Sequence, residues 1–138
     1  MIKKVLLVED DPNDVELTRR ALRICRIQNE LVVVRDGVDA LDYLRAMDKT
    51  DLPVVILLDL KLPRMDGLEV LRWIRADEKC RHIPVVIFTS YDDEEALITS
   101  YNLGVNSYMV KPVNFEKFVK AVEILGLYWL ILNKAAHE

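Results

Sequence analysis

The sequence predicts an α/β protein: a doubly wound parallel sheet with helices on both faces, built as five successive βα units. Three observations predict it. Four short runs, Val5 to Val8, Leu31 to Val34, Val54 to Leu58 and Val85 to Phe88, are β-branched-rich and continuously apolar. Such runs suit strands covered on both sides, as in a parallel sheet. Segments with apolar residues at helical spacing fill the gaps. Finally, the strand runs end in polar or ionisable residues on their C-terminal side, which is where ligands bind in open α/β sheets.

The elements follow in order. After the first strand, Asp11-Pro12 reads as a helix cap followed by proline at the first helical position. Thr18, Ala21, Leu22 and Cys25 form one face of that helix. Leu41, Leu44 and Met47 mark the second helix, and Leu68, Leu71 and Ile74 the third. Pro53 and Pro84 precede the third and fourth strands. Leu97, Ile98 and Tyr101 mark the fourth helix. Asp92 with Glu95 has the spacing of a capping box, and Gly104 stands where a left-handed C-terminal residue is wanted. Ser107 to Val110 is a weaker fifth strand. Phe115, Phe118, Val119, Val122 and Leu125 give the last helix its core stripe. This predicts one domain over 1–133, with an extended C-terminal helix, and a tail over 134–138.

Composition narrows the function. With 138 residues, 51% hydrophobic and 30% charged, the chain suits a single globular domain and not a disordered segment. Its 19 basic and 23 acidic residues leave a net charge of −4, which argues against nucleic acid as a partner. Cys25 and Cys80 form no CxxC pair and read as reduced thiols of a cytoplasmic protein. The run Val5 to Val8 is too short for a signal-peptide core before Glu9, Asp10 and Asp11 end it. The apolar stretch Ile124 to Leu132, broken by Gly126, is far shorter than the about 20 residues of a spanning helix, so no membrane is expected as a partner.

The polar residues at the strand ends carry the chemistry. The first strand ends at Glu9 and Asp10, the third at Asp59, the fourth at Thr89 and Ser90, the fifth at Lys111. Each has a plain alternative: a solvated loop carboxylate, a turn cap, a surface lysine. Asp11 reads best as a helix cap only. Asp59 is harder to dismiss, because it directly follows Val-Val-Ile-Leu-Leu, where a lone carboxylate is costly. Clustered carboxylates repel and need a cation. Oxygen donors without His or Cys suit a hard one such as Mg²⁺. A lysine facing them supplies fixed positive charge to an anionic phosphoryl group, and a carboxylate there can attack phosphorus to give an aspartyl-phosphate. His82 and His137 are not at strand ends and are poor candidates for a base.

Four segments carry a resemblance: Leu6-Leu7-Val8-Glu9-Asp10-Asp11-Pro12; Leu58-Asp59-Leu60-Lys61-Leu62-Pro63 with Met65-Asp66-Gly67; Ile83-Pro84-Val85-Val86-Ile87-Phe88-Thr89-Ser90; and Gly104-Val105-Asn106-Ser107-Tyr108-Met109-Val110-Lys111-Pro112. With them the chain resembles, end to end, the receiver domain of two-component response regulators. The acidic-Pro opening and the Leu127-Tyr128-Trp129-Leu130 tail are most like the stand-alone regulators of phytochrome-type histidine kinases. The resemblance implies a flavodoxin-like strand order of 2-1-3-4-5. It implies that Asp59 accepts a phosphoryl group from a kinase phosphohistidine in a Mg²⁺-dependent reaction, with Mn²⁺ as an alternative ion. Asp10 would hold the metal directly, Glu9 through water, and Lys61 through its backbone carbonyl. Lys111 would pair with the phosphoryl oxygens, Thr89 and Ser90 would bind them, and Tyr108 would turn inward as Thr89 moves. Pro112 would follow in a cis peptide bond. Glu9 stands where many members have Asp, which lengthens the arm and keeps the charge.

No DNA-binding or enzymatic segment is expected after the last helix, and output is expected through protein contact, a change of oligomeric state or onward phosphoryl transfer as a phosphorelay intermediate. The chain would catalyse only its own phosphorylation and dephosphorylation. An aspartyl-phosphate phosphatase or phosphotransferase of the haloacid dehalogenase type wants an acid two residues after the nucleophile, where this chain has Lys61. A flavin-binding fold would set its phosphate against Glu9-Asp10-Asp11. The intact Asp59, Thr89 and Lys111 set speaks against a degenerate scaffold. Lys61 and Tyr91 are expected at the pocket mouth, shielding the phosphoryl group from water. Residues 127–132 are apolar all round a helix, which one buried stripe cannot satisfy. A symmetric homodimer is therefore expected on the fourth and fifth helices and fifth strand, with Tyr128, Trp129 and Leu132 in the interface.

Overall fold

A computed structural model describes residues 3–111 and 114–125. Pro112 and the tail containing Tyr128, Trp129 and Leu132 lie outside the described residues, as does the predicted extension of the last helix.

The elements alternate as the apolar runs require: β1 Val5–Val8, α1 Pro12–Ile24, β2 Leu31–Val34, α2 Gly37–Ala46, β3 Val55–Leu58, α3 Gly67–Ala76, β4 Val85–Thr89, α4 Glu94–Asn102, β5 Ser107–Val110 and α5 Phe115–Leu125. All strands pair in parallel, in the order β2-β1-β3-β4-β5. The doubly wound class and the 2-1-3-4-5 order are as expected.

Strand alternation divides the core into two layers. Leu6, Val8, Ile56, Leu58, Val85 and Ile87 face α2, α3 and α4. Val5, Leu7, Val55, Leu57, Val86 and Phe88 face the other way, with α1 and α5 supplying Val15, Ala21, Leu22, Phe118 and Val122 to that layer. Phe88 and Phe118 stack there with ring centroids 4.9 Å apart. Strands β1, β3 and β4 are buried along their whole length, which explains why they lack polar alternation.

Caps fix the helix starts. Asp11 accepts a hydrogen bond from the Asn13 N–H at the head of α1, as the Asp-Pro pair predicted. Asp93, not Asp92, caps α4 by accepting from the Ala96 N–H, so the capping-box reading was one residue early. Gly104 takes φ 76° after α4, the left-handed conformation a helix end favours.

The face of α4 differs from the sequence reading. Leu97, Ile98 and Tyr101 are exposed, at 38%, 51% and 51%, and the helix buries Ala96 and Ser100 instead. Helical spacing reveals an apolar stripe but not which stripe meets the sheet. Here the small residues do.

Candidate functional site

Sheet hydrogen bonding carries the strand ends into one place. Val8 is paired with both Val34 and Leu58, Leu58 with Ile87, and Thr89 with Val110. The ladder continues past the strands: the Glu9 N–H donates to the Val34 carbonyl at 3.0 Å, the Asp59 N–H to Val8 at 3.0 Å, and the Lys111 N–H to Thr89 at 2.7 Å. Five segments distant in sequence are thereby brought into register at the C-terminal edge of the sheet.

Lys111 is the hub. Its Nζ lies 2.7 Å from Glu9 Oε1, 2.7 Å from Asp14 Oδ2 and 3.0 Å from Asp59 Oδ2. It also sits over the Phe88 ring, 5.1 Å from the centroid. Asp59 is buried at 4% exposure and Glu9 at 1%. The second Asp59 oxygen accepts from the Lys61 N–H at 3.0 Å, and the second Glu9 oxygen accepts from the Asp11 N–H at 3.3 Å.

Burial raises the Glu9 carboxyl to about 8; the Lys111 hydrogen bond opposes this and neighbouring Asp59 adds to it. For Lys111, burial disfavours the ammonium, yet hydrogen bonds to Asp14, Glu9 and Asp59 outweigh it and hold the pKa above the ordinary lysine value.

A cleft of about 380 Å³ opens over this cluster, lined by Asp10, Asp11, Asp14, Asp59, Lys61, Ser90 and Lys111. Carboxylate oxygens of Glu9, Asp10 and Asp59 lie within 4.8 Å of one another. The donor set is all oxygen, and its negative charge exceeds what Lys111 neutralises. Both properties fit a hard divalent cation.

Asp59, Asp10, Ser90, Lys61 and Lys111 thus meet in one cleft, with Glu9 beneath it. Thr89 is fully buried, and its Oγ1 accepts from the Tyr91 N–H at 3.3 Å. Tyr108 is half-buried and donates its hydroxyl hydrogen to the Tyr91 carbonyl at 2.7 Å. The expected position of Tyr91 is corrected: it packs against the core beside Tyr108 and does not line the cleft, while Lys61 does. Asp14 is a site residue that the sequence reading missed. It lies in the first turn of α1, three positions after the Asp11 cap. Only that offset could have placed it over the strand ends.

The connection after Asp59 is tightly folded. The Gly67 N–H returns to the Leu60 carbonyl at 2.9 Å. A Cβ at Gly67 would collide with the Asp59 carbonyl and Leu60 Cα, so glycine is required where α3 begins. Within the loop the Met65 N–H donates to the Pro63 carbonyl at 2.7 Å, around Arg64 at φ 66°. That is the hydrogen bond and φ of a γ-turn, an uncommon conformation for a residue with a side chain.

Residues 5–123 match the family model for the response regulator receiver domain. The chain belongs to that family. Among curated relatives, it is 41% identical over 133 residues to the probable methanogenesis regulatory protein FilR2 of Methanothrix harundinacea, covering 95% of this chain and 86% of that protein. It is 38% identical over 131 residues to response regulator Rcp1 of Synechocystis sp., covering 93% and 89%. The Mn²⁺-bound form of Rcp1 superposes with a TM-score of 0.80 over 93% of this chain and 94% of that one. Phosphorylated RcpA, a cyanobacterial phytochrome response regulator, is 38% identical with a TM-score of 0.82 over 94% and 95%. The bacteriophytochrome response regulator RtBRR is 52% identical with a TM-score of 0.78 over 94% and 81%. The receiver is therefore similar to phytochrome response regulators in both sequence and fold. Among the described residues, no helix is long and apolar enough to cross a membrane.

Proposed function

We propose that this receiver takes a phosphoryl group onto Asp59 from a phosphohistidine of a sensor histidine kinase of the phytochrome type. The single observation that supports this most is the Lys111 ammonium bridging Glu9 and Asp59 at the aligned strand ends. It presents a carboxylate beside a fixed cation, in a cleft open to a donor.

A carboxylate oxygen of Asp59 attacks phosphorus, the P–N bond of the donor breaks, and the imidazole leaves with a proton. An acyl phosphate results. The ion, Mg²⁺ or Mn²⁺, would be held by Asp10, Asp59, Glu9 through water and the Lys61 carbonyl. When bound, it offsets the charge of carboxylates and phosphoryl oxygens. Lys111 then turns from the carboxylates to the phosphoryl oxygens, while Thr89 and Ser90 supply hydroxyl donors. Thr89 holds the Tyr91 N–H and Tyr108 holds the Tyr91 carbonyl. Movement of Thr89 towards the phosphoryl group therefore disturbs the backbone segment on which Tyr108 rests. Pro112 follows Lys111 directly and restricts the backbone there.

Output then runs through protein contact or a homodimer on α4, β5 and α5 that includes Tyr128, Trp129 and Leu132. The exposed Leu97, Ile98 and Tyr101 on α4 support a contact on this side.

Incubation with Mg²⁺ and acetyl phosphate, followed by intact mass, tests the reading. The wild type gains one phosphoryl group and Asp59→Asn gains none. A full adduct on the Asn variant overturns the assignment. Lys111→Ala keeps the adduct but loses the change in hydrogen exchange around Tyr91 and Tyr108 that phosphorylation causes. An unchanged response removes Lys111 from the switch.

A further inference from the structure

The loop between Asp59 and α3 is tied to the head of α2, outside the cleft, by a side chain that the phosphoryl chemistry does not use. Arg64 projects from the γ-turn to the head of α2. Its Nε lies 3.0 Å from Asp36 Oδ2. Its Nη2 lies 3.2 Å from Asp36 Oδ1 and 3.0 Å from Asp39 Oδ1. The guanidinium grips Asp36 with two nitrogens and spans to Asp39 with one of them, a geometry that a lysine cannot reproduce.

The carboxylates are themselves fixed. Asp36 caps α2 by accepting from the Asp39 N–H at 2.8 Å. That hydrogen bond, with the Arg64 contact, holds the Asp36 carboxyl below its usual range. The loop and helix also meet along their backbones. The Gly37 N–H points to the Pro63 carbonyl at 3.5 Å, and a Cβ at Gly37 would strike Met65. Arg64 is one of two non-glycine residues with positive φ among the described residues. The other, Arg26, follows α1, far along the chain from this loop.

We propose that Arg64 is a positioning residue for the phosphoacceptor loop: by bridging Asp36 and Asp39 it latches residues 61–65 to α2 and keeps the Lys61 backbone in its cation-binding place beside Asp59. The inference rests on the proposed function above and adds a control on it. The Lys61 N–H already bonds Asp59, so a loop that shifts at Arg64 shifts the backbone next to the acceptor. A strained turn needs surrounding contacts to hold it, and the ion pairs supply them from an element with no other part in the site. Apparent metal affinity falls by the fraction of time the loop spends unlatched.

Two measurements on the full chain test the latch. The first is hydrogen exchange of the metal-free protein over residues 60–67. Arg64→Ala and Arg64→Gly should both raise exchange there and leave β1 and β3 unchanged. The second is Mn²⁺ affinity by electron paramagnetic resonance titration, at low salt. Both variants should bind about fivefold more weakly, the scale of one well-formed exposed ion-pair network, and Asp39→Asn less than that. Arg64→Lys should fall between wild type and Ala.

The glycine variant separates guanidinium from backbone, because glycine accepts positive φ without strain. Wild-type affinity in Arg64→Gly would show that the turn alone sets the loop, and would overturn the latch. Unchanged exchange in both variants overturns it as well. A wild type that binds no Mn²⁺ and takes no phosphoryl group overturns the reading of the site, and the coupling with it. A wild type that binds Mn²⁺, with variants equally tight, overturns the latch alone.

Discussion

Helices α3 and α4 cover the same face of the same sheet, yet they are held in opposite ways. Helix α3 drives Val70, Leu71 and Ile74 fully into the core, and Trp73 packs at its margin. Helix α4 contributes Ala96 and Ser100, and its three large apolar side chains face outward. Among the described residues, the buried Ser100 hydroxyl has no hydrogen-bond partner. Helix α4 is fastened mainly near its ends. Arg75 holds the Leu103 and Gly104 carbonyls just beyond its C-terminus, at 2.7 and 3.1 Å. The Tyr108 hydroxyl holds the Tyr91 carbonyl ahead of its N-terminus. The difference separates a helix that builds the fold from one that displays a surface. The displayed one adjoins the segment linking Thr89 to Tyr108.

The contrast can be broken most severely in α3. Ile74→Ala should destabilise the protein by about 2–5 kcal/mol, because it removes wholly buried volume. Urea unfolding measures this; a loss below 1 kcal/mol would mean that α3 is no better seated than α4.

Ser100→Ala sharpens the comparison from the other side. Removing an unpartnered buried hydroxyl should be neutral or stabilising by up to about 1 kcal/mol, seen in the same unfolding experiment. A clear destabilisation would reveal a hydroxyl partner and a tighter α4.

The smallest effect belongs to Ile98→Ser and Tyr101→Ser. Each should change stability by no more than about 0.5 kcal/mol, and, if the proposed homodimer forms, each should shift sedimentation towards monomer. A large stability loss would place these side chains in the core after all.

The same pair of helices marks how far the sequence could be read. In α3, Leu71 and Ile74 are core as the spacing indicated, and Val70 joins them because a buried helical face is wider than a single stripe. In α4 the large residues repeat at the same spacing and point the other way. Strand ends were legible because continuous apolar runs stop abruptly at Glu9, Asp59 and Lys111, and a parallel sheet aligns such stops. Asp14 and Arg64 were not. Each acts across a gap that tertiary structure closes: Asp14 to Lys111, and Arg64 to Asp36 and Asp39. Nothing in local sequence marks an arginine as paired with acids more than twenty residues away.

The end of α3 and the chain that joins it to β4 have one further effect. Lys79 donates to the Leu44, Arg45 and Met47 carbonyls at the end of α2, and Arg75 to those beyond the end of α4. Helix α4 has no basic residue in its own last turn. Two helix dipoles are therefore terminated by positive charge lent from a third helix and its connection. Both cations thus act at helix ends on the edge of the sheet away from the acids of the cleft. At 0.1 M salt, screening limits such charges to about 10 Å, so each cation serves the helix end it touches.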